Sequence, residues 1–447
     1  MSSSEAWREL GEAAWSWVLG HVRGEDGPWL PETVPDDEPP DGPTEDRDCL
    51  YEGIAGLAPV LAEIGLSRAL NDTEQALAAA ITARLSAMAG VRTEASLYVG
   101  LAGDATALRL LAAGRERVAM RRLADLMTPA GWPSTLQLEP GSDQPVTDLI
   151  QGTAGVVLTA VWAGGDHAEE IAATGGEALL RVADPTEAGL DWGMLPGAPS
   201  RSPNYSHGTA GVATALAIAG TALRRPDFVA AAQQGARHLL AVGLLDDGGF
   251  VIPHTIPPSR REVEPVTYSW CHGPAGTSHL FAALARAGVD EIGGFQAGEL
   301  RQRCLDSILA SGVPQRLRPG FWDNDGRCCG TAGVGDVLLD AAQDCPDPAR
   351  AGALLRAAHG MGEALAERAI RVDSGVCWRF VEYRQDPPLL PPGTSWMQGA
   401  AGIAAFLLRL ARVTDDGLRA PVIDRPDQWW AVPAELRVAA TGPGGAA

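Results

Sequence analysis

Two hydrophobic patterns alternate along the chain. Segments such as FVAAAQQGARHLLAV place apolar residues on one face and polar residues on the other, which predicts amphipathic helices with one exposed face. Segments such as GVATALAIAGTALRR are apolar around most of their circumference, so the helices they predict must be buried. The sequence therefore predicts outer and inner helices that follow one another along the chain.

A Gly-x-x-Gly tetrapeptide precedes the buried segments. Its copies are separated by 47 to 69 residues, which is too irregular for a tight solenoid but leaves room for two helices per unit. Glycine at both ends permits positive φ and close approach of two backbones, so we expect a tight turn into each inner helix. The seven copies begin at Gly53, Gly100, Gly152, Gly208, Gly273, Gly330 and Gly399.

The number of helices predicts how they are arranged. With residues 5–21 as the first outer helix, seven outer and seven inner helices nearly use up the chain. A helical hairpin with one buried face is unstable alone, whereas a closed ring buries each hairpin against two neighbours. We expect an all-α fold, an α/α toroid (barrel), as a single domain over residues 1–435, followed by a disordered Gly-rich tail, 436–447.

Composition narrows the class of protein. A formal charge of -21 without clustered Lys or Arg argues against nucleic-acid binding. The first segment lacks the basic start and uninterrupted apolar core of a signal peptide, and no run is long enough for a transmembrane segment. Seven scattered cysteines do not form a disulfide framework, so we expect reduced thiols and a cytoplasmic protein.

Residues with reactive side chains stand directly before four of the glycine turns, in TDLIQG, NYSHG, SWCHG and RCCG. If the turns gather at one end of the ring, these residues converge on a common mouth. Three cysteines at equivalent places then predict a zinc site, because thiolates are soft ligands that zinc prefers. The residues concerned are Asp148, His207, Cys271, His272, Cys328 and Cys329.

The sequence leaves three further roles open for these cysteines. Each thiol alone fits a small core residue as well as it fits a metal ligand. Cys328 and Cys329 could form a strained vicinal disulfide. His272 could join Cys271, Cys328 and Cys329 in a closed, purely structural zinc site.

Seven Gly-x-x-Gly turns, with SWCHG at the fifth, RCCG at the sixth and SWMQGAAG at the seventh, resemble the lanthionine synthetase cyclases, or LanC-like proteins. The resemblance covers essentially the whole chain. It implies an α/α toroid in which Cys271, Cys328 and Cys329 hold a Zn²⁺ ion and leave the fourth position to the thiol of a peptide cysteine. The pair Cys328-Cys329 replaces the Cys-His of many stand-alone cyclases and is similar to the cyclase domains of some bifunctional synthetases.

The resemblance also implies a reaction. A zinc-dependent lanthionine synthetase adds a cysteine thiolate to a dehydroalanine or dehydrobutyrine of the same peptide, a Michael addition that forms a (methyl)lanthionine ring. His207 is the expected proton shuttle, because histidine is the side chain that ordinarily exchanges protons near neutral pH. Asp148 could orient His207 or simply cap a helix. His272 could donate to the enolate or merely pack.

The expected partners follow from this chemistry. They are a dehydrated precursor peptide with its leader and a separate dehydratase or kinase/lyase enzyme that supplies it. Two insertions, 24–48 and 248–270, could meet the peptide or be ordinary loops.

Three alternative functions remain. The first is intermolecular addition of a thiol such as glutathione to dehydrated residues. The second is a non-catalytic zinc-containing scaffold that binds a peptide. The third is a prenyltransferase-type toroid, which the adjacent cysteines and the glycine turns disfavour.

Overall fold

The computed structural model describes residues 3–35, 42–43, 46–134, 145–246, 248–258, 265–315, 324–381, 388–429 and 432. The predicted tail, 436–447, lies outside these described residues. Within them, fourteen α-helices account for most of the regular structure, and the strands occur only as short two-stranded antiparallel hairpins. The all-α prediction is therefore confirmed.

The predicted alternation of seven outer and seven inner helices is also confirmed. The outer helices are α1 (Ser3–His21), α3 (Asp72–Met88), α5 (Arg117–Leu126), α7 (Ala168–Arg181), α9 (Pro226–Val242), α11 (Ala297–Ala310) and α13 (Pro348–Arg368). The inner helices, each of which starts at a Gly-x-x-Gly copy, are α2 (Leu57–Ser67), α4 (Leu101–Leu111), α6 (Thr153–Ala163), α8 (Thr209–Leu223), α10 (Pro274–Arg286), α12 (Thr331–Gln343) and α14 (Ala400–Asp416). A short 3-10 turn, Ile54–Gly56, leads into α2.

Short β-hairpins lie in the loops between helices. In each of them two strands pair antiparallel, as Ile370 does with Cys377. Their strands are β1 (Asp184–Pro185), β2 (Leu190–Asp191), β3 (Leu244–Leu245), β4 (Phe250–Val251), β5 (Glu291–Ile292), β6 (Phe295–Gln296), β7 (Ile370–Val372), β8 (Gly375–Cys377), β9 (Arg379–Val381) and β10 (Leu389–Pro392).

The helices form where the sequence supplies both a start signal and a matching apolar pattern. Pro226 opens α9, and Pro348 opens α13 behind Asp347, whose carboxylate accepts a hydrogen bond from the amide of Ala349. Helix α9 buries one face, whereas the residues of α8 from Thr209 to Gly220 are all buried. The two hydrophobic patterns therefore separate exposed from buried helices correctly.

Contacts divide the chain into two compact units. Unit 1 comprises Met1–Leu85, Leu110–Ala112 and Val313–Ala447, and unit 2 comprises Ser86–Arg109 and Ala113–Gly312. The expectation of a single domain over 1–435 stays a prediction.

Each unit buries its inner helices against one another and against outer helices. In unit 2, α6 packs on α8 and α8 on α10, and each of these also packs on the outer helix that follows it. In unit 1, α14 packs against α1, α2 and α12, and α12 packs on α13. Among the described residues, no helix combines the length and the apolar character needed to cross a bilayer.

Close backbone approach, and not positive φ, explains the glycine turns. The motif glycines all lie in the described part of the chain, and none of them has a positive φ, so that part of the expectation is wrong. A Cβ on Gly276 would lie 2.0 Å from the carbonyl oxygen of Trp270, and one on Gly211 would lie 2.0 Å from that of Tyr205. The last glycine of the motif therefore lets the inner helix start directly against the preceding loop.

Gly276→Ala is predicted to destabilise the protein by about 1 to 3 kcal/mol, because the new methyl group would overlap the Trp270 carbonyl and the Cβ of Tyr205. Gly298→Ala in α11 is the matched control, since no atom lies within 4 Å of the added Cβ there and alanine favours a helix. Chemical denaturation of both variants tests this. Equal stability of the two variants would contradict the packing role of the motif.

Candidate functional site

In unit 2, one position of the repeat joins successive loops. We call the residue two places before the first glycine of a copy the linking residue. The amide of Tyr98 donates to the carbonyl of Ile150 (3.1 Å), and the amide of Ile150 donates to the carbonyl of Ser206 (3.4 Å). The amide of Ser206 in turn donates to the carbonyl of Cys271 (3.0 Å). Backbone hydrogen bonds thus connect the linking residues of four consecutive copies. The loops are held in fixed positions relative to one another as a result.

Unit 1 repeats the same arrangement. The amide of Cys328 donates to the carbonyl of Met397 (2.8 Å), and the amide of Met397 donates to the carbonyl of Tyr51 (3.1 Å). Cys328 is therefore a linking residue, as Cys271 is in unit 2. The sequence pattern predicted equivalent positions for these cysteines, and within each unit the backbone geometry agrees.

Asp148 and His207 are brought together in unit 2. The Nδ1 of His207 lies 2.7 Å from Oδ2 of Asp148, whose side chain is fully buried, while the side chain of His207 is 29% exposed. The other carboxylate oxygen of Asp148 accepts from the amide of Gln151 at 2.7 Å. Asp148 thus orients His207 and closes a turn, but it does not cap α6, whose N-cap is Gly152.

This pairing sets the tautomer of His207. A carboxylate only accepts hydrogen bonds, so the proton of the neutral imidazole resides on Nδ1 and the lone pair on Nε2. The amide of His207 also donates to Oδ1 of Asn204 at 3.1 Å, which fixes the backbone that carries the ring. His207 is therefore a partly exposed base held in one orientation.

His272 lies beside His207, with 5.6 Å between the ring centroids. Burial, and then the neighbouring His254 and His207, hold the pKa of His272 well below its ordinary value of 6.5. His272 is consequently neutral at neutral pH, with one nitrogen that donates and one that accepts.

His254 was not predicted from the sequence. This buried residue follows β4 in the insertion 248–270, and its ring centroid lies 4.1 Å from that of His272 in an edge-to-face arrangement. Its carbonyl accepts from the side-chain amide of Asn204 at 3.3 Å. No glycine turn follows His254, so the repeat pattern gave no signal for it. The described part of the insertion is thus packed against the NYSHG loop.

The three cysteines singled out by the sequence are all buried. Cys271, Cys328 and Cys329 are 1%, 6% and 2% exposed, and they offer sulfur atoms that could bind a metal ion. The Sγ of Cys271 lies 3.3 Å from the hydroxyl of Ser269. All seven cysteines are free, so the vicinal disulfide is not the arrangement found. Three soft donors without disulfides fit zinc.

The remaining cysteines have other surroundings. Burial raises the pKa of the Cys49 thiol to about 12 and also raises that of Cys304 above its ordinary value. Both thiols therefore stay protonated and are poor metal ligands. Cys377 lies in β8, and Cys345 follows α12 at the protein surface.

A buried network of charges begins at Arg327, the residue before Cys328, in unit 1. The guanidinium of Arg327 pairs with Asp336 in α12 and lies 4.2 Å from the centre of the Trp396 ring. Arg409 in α14 reaches Asp336 at 2.9 Å and Asp340 at 2.6 Å. None of these side chains is more than 5% exposed. This network could not be predicted from the sequence, because its members are far apart in the chain.

The two carboxyls of the network respond differently to burial. Burial opposes ionisation of Asp336, but three nearby arginines outweigh it and lower the pKa of that carboxyl below its ordinary range. Burial, and then the charge of Asp336, raise the pKa of Asp340 from 3.8 to about 6, although Arg409 acts in the opposite direction. The network is ionised at neutral pH as a result.

Residues 44–417 match the family model described as lanthionine synthetase C-like protein. The chain belongs to this family. The match confirms the resemblance found in the motifs and spans every glycine turn of this lanthionine synthetase C-like protein.

A solved structure agrees on the fold. The structure titled "Nisin cyclase" matches with a TM-score of 0.50 and 15% identity over 82% of this chain and 89% of that chain, which confirms the α/α toroid fold class. Two further structures match. One is an unsaturated glucuronyl hydrolase specific for heparin, with a TM-score of 0.48 and 11% identity over 93% of this chain and 98% of that chain. The other is a sugar epimerase from a ruminal bacterium, with a TM-score of 0.45 and 11% identity over 92% of this chain and 99% of that chain. No curated protein matches the sequence.

Asp340→Asn is predicted to change how stability depends on pH. Because the folded-state pKa is raised, Asp340 contributes stability that is fully present below about pH 4 and is lost as pH rises through about 6. The stability of the wild type relative to the variant should therefore fall by up to about 3 kcal/mol between these pH values. Denaturant unfolding of both proteins from pH 4 to 7 measures this, and a constant difference would contradict it.

Proposed function

We propose that this protein is a zinc-dependent lanthipeptide cyclase. It would add cysteine thiols of a peptide to dehydroalanine or dehydrobutyrine of the same peptide and so form (methyl)lanthionine rings. The observation that carries the proposal is the hydrogen bond between Asp148 and His207. The residue before His207, Ser206, donates its amide to the carbonyl of Cys271. Family membership and the nisin cyclase fold support it.

The proposed metal ligands are Cys271, Cys328 and Cys329. Each is a buried free thiol, and the first two are the linking residues of consecutive copies. Within each unit, consecutive linking residues are joined directly by a backbone hydrogen bond, which fixes Cys271 in one loop and Cys328 in another. Zinc bound by three thiolates, with its fourth position open to the peptide, would lower the pKa of the substrate thiol.

Proton transfer is assigned to His207. In the addition, the substrate sulfur forms a bond to the β-carbon, the carbon–carbon double bond opens, and the thiol proton must finally reach the α-carbon. Nε2 of His207 can take up the proton of the substrate thiol and then deliver a proton to the α-carbon. Asp148 meanwhile keeps the proton on Nδ1 in place. The ring is thus closed without net change in protons.

His272 is proposed to stabilise the enolate oxygen that develops during the addition. Its low pKa keeps the imidazole neutral, so it acts as a hydrogen-bond donor and not as a cation. This role is compatible with its position 5.6 Å from His207, measured between ring centroids. Hydrogen-bond donors aimed at developing charge are a large contribution to catalysis in enclosed sites.

The reaction requires other enzymes. A thioether addition consumes a dehydrated residue, so a separate dehydratase or kinase/lyase must first act on a leader-bearing precursor peptide. We propose that this sequence of steps takes place in the cytoplasm, in line with the expectation from the sequence. The peptide is the partner that the site would recognise.

His207→Asn is predicted to lower kcat for ring closure about 100- to 10,000-fold while zinc content stays unchanged, because only the proton shuttle is removed. His359→Asn is the matched control, since His359 is also partly buried and bonded to one polar group, Thr414, and should keep the wild-type rate. A synthetic peptide with one cysteine and one dehydroalanine serves as substrate. Loss of its free thiol, counted by maleimide labelling, reports cyclisation.

The same assay separates the alternative functions. Addition of glutathione to the mixture distinguishes ring closure, which leaves the peptide mass unchanged, from intermolecular addition, which raises it by one glutathione. Products carrying glutathione in place of rings would favour the intermolecular reaction. Zinc binding and peptide binding without either product would indicate a scaffold.

A further inference from the structure

One position of the repeat differs in chemistry between the copy with adjacent cysteines and the other six. It is the residue three places before the first glycine, directly before the linking residue. All seven occupants are buried, and six of them are apolar or aromatic, whereas the sixth copy has an arginine. In chain order they are Leu50, Leu97, Leu149, Tyr205, Trp270, Arg327 and Trp396.

The partner of this arginine is equally unusual. Asp336 lies six residues after the first glycine of its copy, and no other copy has a charged side chain at that place unless its histidine is protonated. The corresponding residues of the other copies are Pro59, Thr106, Leu158, Thr214, His279 and Ala405. The copy that carries two cysteines thus has its own buried ion pair.

The surroundings of Arg327 fix both its backbone and its side chain. A Cβ on Gly333 would lie 1.8 Å from the Arg327 carbonyl oxygen, so this peptide packs directly on the start of α12. The guanidinium bridges Asp336 in α12 and the Trp396 ring before α14. A Cβ on Gly402 would lie 2.8 Å from Cγ and Cδ of Arg327, so the stem of the side chain is also enclosed.

These contacts restrict the cysteines that follow. The amide of Cys328, the next residue, donates to the carbonyl of Met397 at 2.8 Å. The carbonyl of Arg327 is therefore held by the helix of its own copy, and the amide of Cys328 is held by the seventh copy. Buried ion pairs are on average no more stabilising than apolar side chains of similar volume, so stability alone does not explain an arginine where other copies have leucine.

We propose that Arg327 is a positioning residue for metal binding: its ion pair with Asp336 and its stacking on Trp396 hold Cys328 and Cys329 in the orientation that binds the metal. This inference rests on the proposed metal site and goes beyond it. Arg327 would act through the cysteines and would not need to contact the metal or the peptide. Residues that orient metal ligands typically affect metal affinity 10- to 100-fold.

The test uses two substitutions in the full-length protein. Arg327→Leu introduces the side chain that three other copies carry at this place, and Arg327→Lys keeps the charge but loses the planar fork and the stacking. Arg412→Leu is the matched control, because Arg412 is as deeply buried, lies in the same unit and pairs with Glu63 at 2.5 Å. Zinc affinity is measured by competition with a chromophoric chelator.

The expected result is a 10- to 100-fold weaker zinc affinity for both Arg327 variants and a change within about 3-fold for Arg412→Leu. After substitution with Co²⁺, the thiolate-to-cobalt absorption bands of the Arg327 variants should be weaker or shifted. If Arg327→Leu does not fold, Arg327→Lys carries the test.

Wild-type affinity and cobalt spectra in the Arg327 variants would overturn the inference, as would an equal loss in Arg412→Leu. If the wild-type protein bound neither zinc nor cobalt, the proposed metal site itself would be wrong. A wild-type protein that binds zinc but closes no ring would contradict the proposed function and leave this inference standing.

Discussion

The contact between a glycine and a backbone carbonyl is the constraint on which the rest of the structure depends. At Gly211, Gly276 and Gly333, the inner helix begins so close to the preceding loop that no side chain fits between them. This contact fixes each loop on its own helix. Hydrogen bonds between linking residues then fix each loop on the next one within a unit, so that residues beside the linking position are held by backbone on two sides.

Such a frame suits chemistry that needs a few side chains in exact places. In unit 2 it presents Asp148, His207 and His272 from successive loops, and a buried carboxylate settles the tautomer of the base. In unit 1 it presents Cys328 beside a buried ion network. Because these positions belong to backbone that is already ordered, little conformational entropy would be lost on binding the proposed metal or peptide.

The repeat explains how much the sequence could predict. The alternation of amphipathic and apolar segments predicted all fourteen helices, and the glycine turns located Asp148 and His207, because these features are local or recur at a fixed place. His254 was not predicted, because it lies in an insertion outside the repeat. The partners of Arg327 were not predicted, because they are distant in sequence. Positive φ at the motif glycines was a wrong expectation, because short contacts across space, which no local pattern encodes, are what require glycine there.

In the function that we propose, three cysteine thiolates hold a zinc ion whose fourth position is open to a peptide thiol. Zinc-edge X-ray absorption on the purified protein, with and without a cysteine-containing dehydrated peptide, tests it most directly by counting sulfur ligands. An open zinc site should show three sulfurs and one light atom in the free protein and four sulfurs once the peptide is bound. Three sulfurs with an imidazole that the peptide does not displace would contradict an open site and indicate a structural metal.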